Sequence, residues 1–297
     1  MLDILKKIIF FKKIIKGFKS HPLWVDNKFF PIYRFFKLQI SFALGKKRIF
    51  FKWIDQLILP IEKGDTGLTG NFYMGLHEFN DMSFVIHLLK ENDLFIDVGA
   101  NLGSYSLLAS GLCKAKSYAF EPVPKTFERL IENISINHLL SEISSKQIAI
   151  SNKENQKNEY IYFSIDRGCE NSLVDSFYQG RKENVSISSL DKECFNLNPV
   201  LIKIDVEGFE KEVLEGAKNT LSKDSLLAII IEGQSTKVET IIESYGFKDV
   251  NYFPLSRNLK AYRINSNNKI WVKEKKIKNI KKRLKKAKKF KLFWKLI

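Results

Sequence analysis

Between residues 78 and 233 the chain repeats one pattern: a short apolar run, a turn, then a stretch of helical periodicity. The runs are LFIDV (94–98), SYAFEP (117–122), KQIAI (146–150), VLIKID (200–205) and LLAIIIEG (226–233). Helical patterns over Phe79–Lys90 and Ser104–Leu112, and two more ending at Asn137 and Leu221, separate them. Apolar runs too short for helices, alternating with helices, predict βα units around a parallel sheet, because a strand covered on both faces has no polar side to show. The predicted fold is therefore α/β and doubly wound. YGFKDVNYFPLSRNLKAYRI (245–264) reads instead as two strands in succession, an antiparallel hairpin closing the sheet. Upstream, FKWIDQLILPI (51–61) is strand material interrupted at Pro60, and EKGDTGLTGNFYMG (62–75) is a glycine-rich connection. An N-terminal hairpin or lid is expected there.

Charge divides the chain in three. Residues 1–52 hold 13 Lys/Arg against 2 Asp/Glu, residues 269–297 hold 14 against 1, and the segment between them carries a net −8, although the whole chain is +16. Leu5, Ile8, Phe11, Ile15 and Phe18 fall on one helical face, with Lys6, Lys7, Lys12, Lys13 and Lys16 largely on others. The tail sets Ile277, Ile280, Leu284, Ala287 and Phe290 on a similar stripe and ends in LFWKLI. Basic amphipathic helices with aromatic residues suit an anionic membrane interface. We expect three parts: a basic N-terminal extension (1–49), a catalytic domain (50–268) and a lysine-rich amphipathic tail (269–297), with the termini as candidate contacts for the inner membrane face. No run approaches the ~18 uncharged apolar residues of a membrane span, and lysine pairs interrupt any signal-peptide core. Cys113, Cys169 and Cys194 are too widely spaced for a metal or redox pair and read as buried thiols of a reducing, cytoplasmic compartment.

In doubly wound sheets ligands bind at the carboxyl ends of strands, where the strand order reverses. Four such ends here carry an acid: Asp97, Glu121, Asp205 and Glu232. After Asp97 the turn Val-Gly99-Ala100-Asn101-Leu-Gly103 lets a ligand approach the backbone closely, and the next helix aims N–H groups at an anionic group. A nicotinamide fingerprint needs glycine at offsets 0, 2 and 5, where this chain has Gly99, Asn101 and Ser104, so dinucleotide binding is disfavoured. Asp97 suits the cationic amino group of a methionine moiety. Glu121 follows Asp97 by 24 residues, close to the roughly 20-residue offset of a ribose-gripping acid, and Pro122 fixes the backbone beyond it.

These residues resemble the FkbM-type methyltransferases. The resemblance runs through GLHEFNDM (75–82), DLFIDVGANLGSYSLLAS (93–110), AFEPVPKTFERLIENISIN (119–137), SISSLD (186–191), LIKIDVEGFEKEVLEGA (201–217) and IIIEG (229–233), and spans roughly residues 50 to 265. It implies a class I methyltransferase fold with a seven-stranded, mostly parallel sheet, using S-adenosylmethionine to methylate a hydroxyl of a sugar, glycan, glycolipid or secondary metabolite. It assigns Asp97, Gly99, Ala100, Asn101 and Gly103 to the methionine end, and Glu121 with Pro122 to the ribose.

The candidate catalytic residues lie in Lys203-Ile-Asp205-Val-Glu207-Gly-Phe-Glu210. Methyl transfer to an alcohol needs the hydroxyl stripped of its proton and aligned with the S–CH₃ bond, and general-base help is worth about 10²–10⁴ in rate. Asp205 or Glu207 can take the proton, with Lys203 stabilising the emerging alkoxide. Alternatively Asp205, Glu207 and Glu232 hold Mg²⁺, which acidifies the hydroxyl. Of the four histidines, His21, His77, His87 and His138, only His77 is a reserve base or substrate contact, since it follows the glycine-rich segment and lies within the resemblance. The polar insertion Arg167–Ser172 is a candidate acceptor wall. Two other functions compete with this one. Nucleic-acid methylation gains from the basic ends but lacks the Asn/Asp-Pro-Pro-aromatic motif of base-amino methyltransferases, so no nucleic-acid partner is expected. A non-catalytic membrane or nucleic-acid binder is disfavoured by the intact strand-end acids.

Overall fold

The computed structural model describes residues 17–18, 21–24, 27, 29–65, 67–152, 161–164, 173–174, 182–233, 235–261 and 268–297. The amphipathic pattern expected over residues 5–15 and the insertion at 167–172 lie outside these residues. The chain forms two compact units, one of residues 1–79 with 289–297 and one of residues 80–288. Among the described residues no helix is long and apolar enough to cross a membrane.

The first unit holds helix α1 (Phe29–Ala43), the antiparallel hairpin of β1 (Arg48–Lys52) and β2 (Ile58–Glu62), and helix α2 (Gly67–Met74). The expected hairpin is present, but Pro60 lies inside β2 opposite Phe50 rather than ending a strand. The glycine-rich stretch is a helix, not a loop, because Leu68, Phe72, Tyr73 and Met74 are all buried and tertiary packing overrides the glycines. Gly70 is needed for contact: a Cβ there would lie 2.6 Å from the His77 ring.

The second unit runs from α3 (Phe79–Leu88) through β3 (Leu94–Val98), α4 (Ser104–Leu107), β4 (Lys116–Phe120), α5 (Pro124–Ile136), β5 (Ile143–Lys146), β6 (Ala149–Ile150), β7 (Ile187–Ser188), β8 (Leu201–Ile204), α6 (Glu210–Glu215), β9 (Ala228–Glu232), α7 (Thr236–Ser244), β10 (Phe247–Phe253), β11 (Asn258–Lys260) and β12 (Asn268–Lys273) to α8 (Ile277–Lys286). Its main sheet has the order β11-β10-β12-β9-β8-β3-β4-β5. Strands β9, β8, β3, β4 and β5 are parallel, and β12 is antiparallel to both β9 and β10. The architecture is the expected doubly wound, mostly parallel α/β sheet, with eight strands rather than seven because β11 adds a short edge. Every residue of β8 is buried, as are four of five in β9, which is why both read as unbroken apolar runs. Ile96, Ile202, Ile204, Ile229, Ile231 and Trp271 form the middle of the core. Burying each such side chain contributes about 1.5–3 kcal/mol.

Three readings change. KQIAI is not one strand: the chain leaves the sheet after Lys146, and Ala149–Ile150 pairs with Ile187–Ser188 instead. The expected helix over Ser104–Leu112 begins as α4 but widens into a π-helical turn over Leu108–Leu112. The boundaries drawn from charge at 49/50 and 268/269 both fall within strands, β1 and β12. Lysine belongs to the sheet in β12 because its charge is compensated: Lys269 pairs with Glu239, while Lys273 lies 4.4 Å from the Phe247 ring centroid and donates to Leu221 O at 3.1 Å.

The lysine-rich tail does form an amphipathic helix, α8, but Ile280 and Leu284 on its apolar face are fully buried. Arg283 pairs with Asp93, and the Arg257 guanidinium donates to the Leu284, Lys285, Ala287 and Lys288 carbonyls at the helix end. In the first unit Phe293 and Trp294 pack on Trp24 and Phe30. The apolar face expected to enter a membrane is thus spent on the protein's own core. A cation over orphaned C-terminal carbonyls stabilises a helix, so Arg257→Ala is expected to cost roughly 1–2 kcal/mol and lower the melting temperature by a few degrees. Calorimetry that finds no change would show that α8 does not need this cap.

Candidate functional site

The strand order reverses between β3 and β8, and a cleft opens there at the carboxyl ends of the parallel strands. It is lined by Gly99 and Asn101 after β3, Glu121 and Pro122 after β4, Asp205 and Glu207 after β8, and Glu232 at the end of β9. Four elements far apart in sequence therefore place seven of the expected residues around one space.

The Gly99 turn owes its shape to contact as much as to conformation. Gly99, Asn101 and Gly103 have φ of 77°, 50° and 87°, and a Cβ on Gly99 would sit 1.8 Å from the Asp205 carbonyl oxygen. Its N–H groups are used within the fold: those of Gly99 and Ala100 donate to Phe120 O, that of Asn101 to Glu121 Oε2 and that of Gly103 to Ala100 O. The turn's own N–H groups are thus spent within the fold and its contribution is closeness; of the following helix, the Ser106 N–H is turned to Asp97 Oδ2. Ala100 and Gly103 do not line the cleft. Gly103 instead meets Leu130, whose Cδ1 would be 2.6 Å from an added Cβ.

Asp97 lies beneath the turn, 1% exposed, and its Oδ2 accepts both the N–H and the hydroxyl of Ser106. Its Oδ1 is buried with no hydrogen-bond partner. Burial raises its pKa from the usual carboxylate value, with Lys203 opposing. An acceptor left open at such cost fits a cofactor ammonium group.

Glu121 Oε1 accepts the Val123 N–H at 3.0 Å, and Oε2 accepts the Asn101 N–H at 2.9 Å. Burial pushes its carboxyl up to about 7, outweighing those two donors. The free chain titrates near 4.5, so this group's contribution to folded-state stability is lost as pH rises through 7, by about 3 kcal/mol in full. Ribose hydroxyls set against this carboxyl would donate to its ionised form, so affinity for such a ligand would move the other way and weaken as pH falls below 7. Glu121→Gln, which sets an NH₂ against a backbone N–H, is expected to weaken S-adenosylmethionine binding by about 10–100-fold and remove this pH dependence. Calorimetric titration at pH 6 and 8 reads both effects, and an unchanged pH dependence in the variant would assign it elsewhere.

Lys203 is buried below the cleft, with Nζ 4.6 Å from the Tyr105 ring centroid and donating to Asp205 Oδ2 at 2.6 Å. The register puts Lys203 beside Asp97 on the neighbouring strand. Its ammonium is thus committed to acids within the fold, and it does not line the cleft, which leaves no direct path to an alkoxide. Burial alone would raise the Asp205 pKa, but the Lys203 charge and hydrogen bonds with Glu232 and Lys203 overcome this and hold it below the usual carboxylate range. Asp205 is ionised at neutral pH. Glu207 is exposed in a left-handed turn (φ 50°) that Gly208 (φ 97°) continues. Asp205, Glu207 and Glu232 each offer an oxygen within 4.8 Å of the others.

His77 belongs to the first unit, where its N–H donates to Asn71 Oδ1 at 2.8 Å, and it is not among the cleft's lining residues. What sequence reasoning missed is the apolar wall of Val123, Ile148, Ile150 and Phe209. For Ile148 and Ile150 the signal was KQIAI, which reads equally well as a sheet strand.

The family model described as the methyltransferase FkbM domain matches residues 97–250, just over half the chain. The hexuronic acid methyltransferase AglP of Haloferax volcanii is 34% identical over 160 residues, covering 50% of this chain and 60% of AglP. Methyltransferase sdnD of Sordaria araneosa is 24% identical over 205 residues, covering 57% of this chain and 79% of sdnD. The crystal structure of methyltransferase FkbM from Methylobacillus flagellatus aligns with a TM-score of 0.42 and 13% identity, over 70% of this chain and 55% of that one.

Proposed function

From the premise that this chain belongs to the FkbM methyltransferase family, we propose that it is an S-adenosylmethionine-dependent O-methyltransferase acting on a hydroxyl of a sugar or glycan. The observation that carries the reading is Asp205, a cleft carboxylate kept ionised by the buried Lys203. A hydroxyl acceptor must lose a proton as its oxygen attacks, and Asp205 is placed to receive it. A carboxylate acceptor needs no base and is repelled by Asp205 and Glu207, so the charge of the cleft favours a neutral hydroxyl. The hexuronic acid methyltransferase AglP among the relatives supports a sugar as the acceptor class.

The same excess of acid suits the cofactor. S-adenosylmethionine supplies, when bound, a methyl group on a cationic sulfonium. Toward it this chain offers Gly99 for close backbone approach, Asp97 Oδ1 as acceptor for an ammonium, Glu121 for ribose hydroxyls, and Ile148 and Ile150 as an apolar wall for the adenine. Lys203 is a positioning residue that fixes the charge and direction of Asp205.

The test is methyl transfer from labelled S-adenosylmethionine to a panel of neutral glycosides and uronic acid glycosides. Methyl ethers, which survive mild alkali, are expected on hydroxyl positions. Alkali-labile methyl esters on the uronates would reject the hydroxyl reading. A second reading rests on the closeness of the Asp205, Glu207 and Glu232 oxygens, which suits a hard divalent cation such as Mg²⁺ that acidifies the hydroxyl. In that case chelation lowers turnover more than tenfold and Mg²⁺ restores it; unchanged turnover in chelator leaves Asp205 as the base.

A further inference from the structure

We propose that the first unit docks onto an anionic lipid bilayer through the outer face of α1, independently of the methyltransferase reading. Phe29, Tyr33, Phe36, Ile40 and Leu44 recur at three- and four-residue spacings along this helix and just past its end, and so share one face. The described residues leave that face largely open: Phe29 is 82% exposed, Tyr33 59%, Ile40 56% and Leu44 78%. Pro31 and Leu38, on the other side, are buried and hold the helix to the unit. Strand β1 continues the patch, since Phe50 on its outer side is 61% exposed, and Tyr33 and Lys37 share a groove with Phe50 and Lys52. A contiguous apolar patch of this kind on a soluble unit marks an interaction site.

Charge selects the occupant. No Asp or Glu occurs between residues 27 and 54, and Lys37, Lys46, Lys47 and Lys52 are all exposed around the stripe. Two copies meeting through this face would bring like charges together, and nucleic acid would require the positive charge at the centre rather than at the rim. Aromatic and aliphatic side chains at the centre with lysines at the edge match an anionic bilayer, whose acyl boundary takes the former and whose headgroups pair with the latter. The contact read from sequence at the lysine-rich tail is relocated by this arrangement, since the tail's Ile280 and Leu284 are buried while the outer face of α1 is not.

The experiment is cosedimentation of the full chain with vesicles of phosphatidylcholine alone and with about 30% phosphatidylglycerol, the anionic content that creates the attracting surface potential. The wild type is expected to pellet with the anionic vesicles and to be released by salt. Phe36→Ser/Ile40→Ser, compared with the wild type once its thermal melt is shown to be retained, is expected to reduce binding by about tenfold or more. Lys46→Gln/Lys47→Gln is expected to do the same with anionic vesicles and to change nothing with neutral ones. Equal pelleting of the Phe36→Ser/Ile40→Ser variant would overturn the proposal, as would a wild type that ignores anionic vesicles. A dimer by light scattering that the same variant converts to monomer, without vesicle binding, would assign the face to a second copy instead.

Discussion

Gly99→Ala is expected to abolish measurable S-adenosylmethionine binding, a loss of at least about 100-fold, and to destabilise the fold by about 3 kcal/mol or more. The added methyl would lie 1.8 Å from the Asp205 carbonyl oxygen and 2.9 Å from its carbon, and both belong to the backbone. No rotamer relieves that overlap. Since the Asp205 N–H donates to Val98 O at 3.0 Å, the loops after β3 and β8 would have to separate where the cleft needs them in contact. Gly208→Ala is the control. Its φ of 97° also disfavours a side chain, but nothing lies within 4 Å of its Cβ, so it should lose only about 1–2 kcal/mol of stability and keep its cofactor affinity. Calorimetric titration beside thermal unfolding separates the two, and retained binding in Gly99→Ala would mean that the turn is not where the cofactor sits.

Asp205→Asn is expected to lower kcat by about 10²–10⁴ with much less effect on cofactor affinity, because the amide keeps the shape of the side chain but cannot accept a proton. Lys203→Met makes a finer distinction. Removing the ammonium takes away the largest influence that lowers the Asp205 pKa, so its titration should rise toward neutral. Activity should then be lost at mildly acidic pH and regained as pH rises, whereas a lysine of purely structural value would lower turnover equally at every pH. A flat ratio between variant and wild type across the pH profile would falsify the positioning role.

Strand-end acids were legible because parallel strands announce themselves. LFIDV, VLIKID and LLAIIIEG are apolar enough that an acid at the close of each run marks the carboxyl end of a strand, and Asp97, Asp205 and Glu232 fall there. Lys203 was visible as an exception within such a run, but its direction was not: pairing with Asp205 and alignment with Asp97 depend on register, which a single strand does not encode. Strand β12 was hidden by its lysines. IWV between Lys269 and Lys273 has the look of a tail until Glu239, Leu221 and the Phe247 ring, all distant in sequence, are seen to receive those charges. The helix over Gly67–Met74 was hidden for the opposite reason, since Gly70 serves close packing rather than a turn. The wall at Ile148 and Ile150 was misplaced because an apolar run does not state which sheet it joins.

The position of β12 also sets an order of assembly. β9 and β10 are separated in sequence by only one helix, yet β12 lies between them and hydrogen-bonds to both. During synthesis the acid-bearing strands β3, β4, β8 and β9 all leave the ribosome before residue 273, so the nascent sheet waits with the β9 edge open and its apolar faces incompletely covered. Such an edge invites pairing with the wrong strand, and a sheet that closes through distant residues closes slowly. The cleft's framework is therefore translated early and locked late, and a chaperone that shields one nascent edge would serve this protein most between the emergence of residue 232 and that of residue 273.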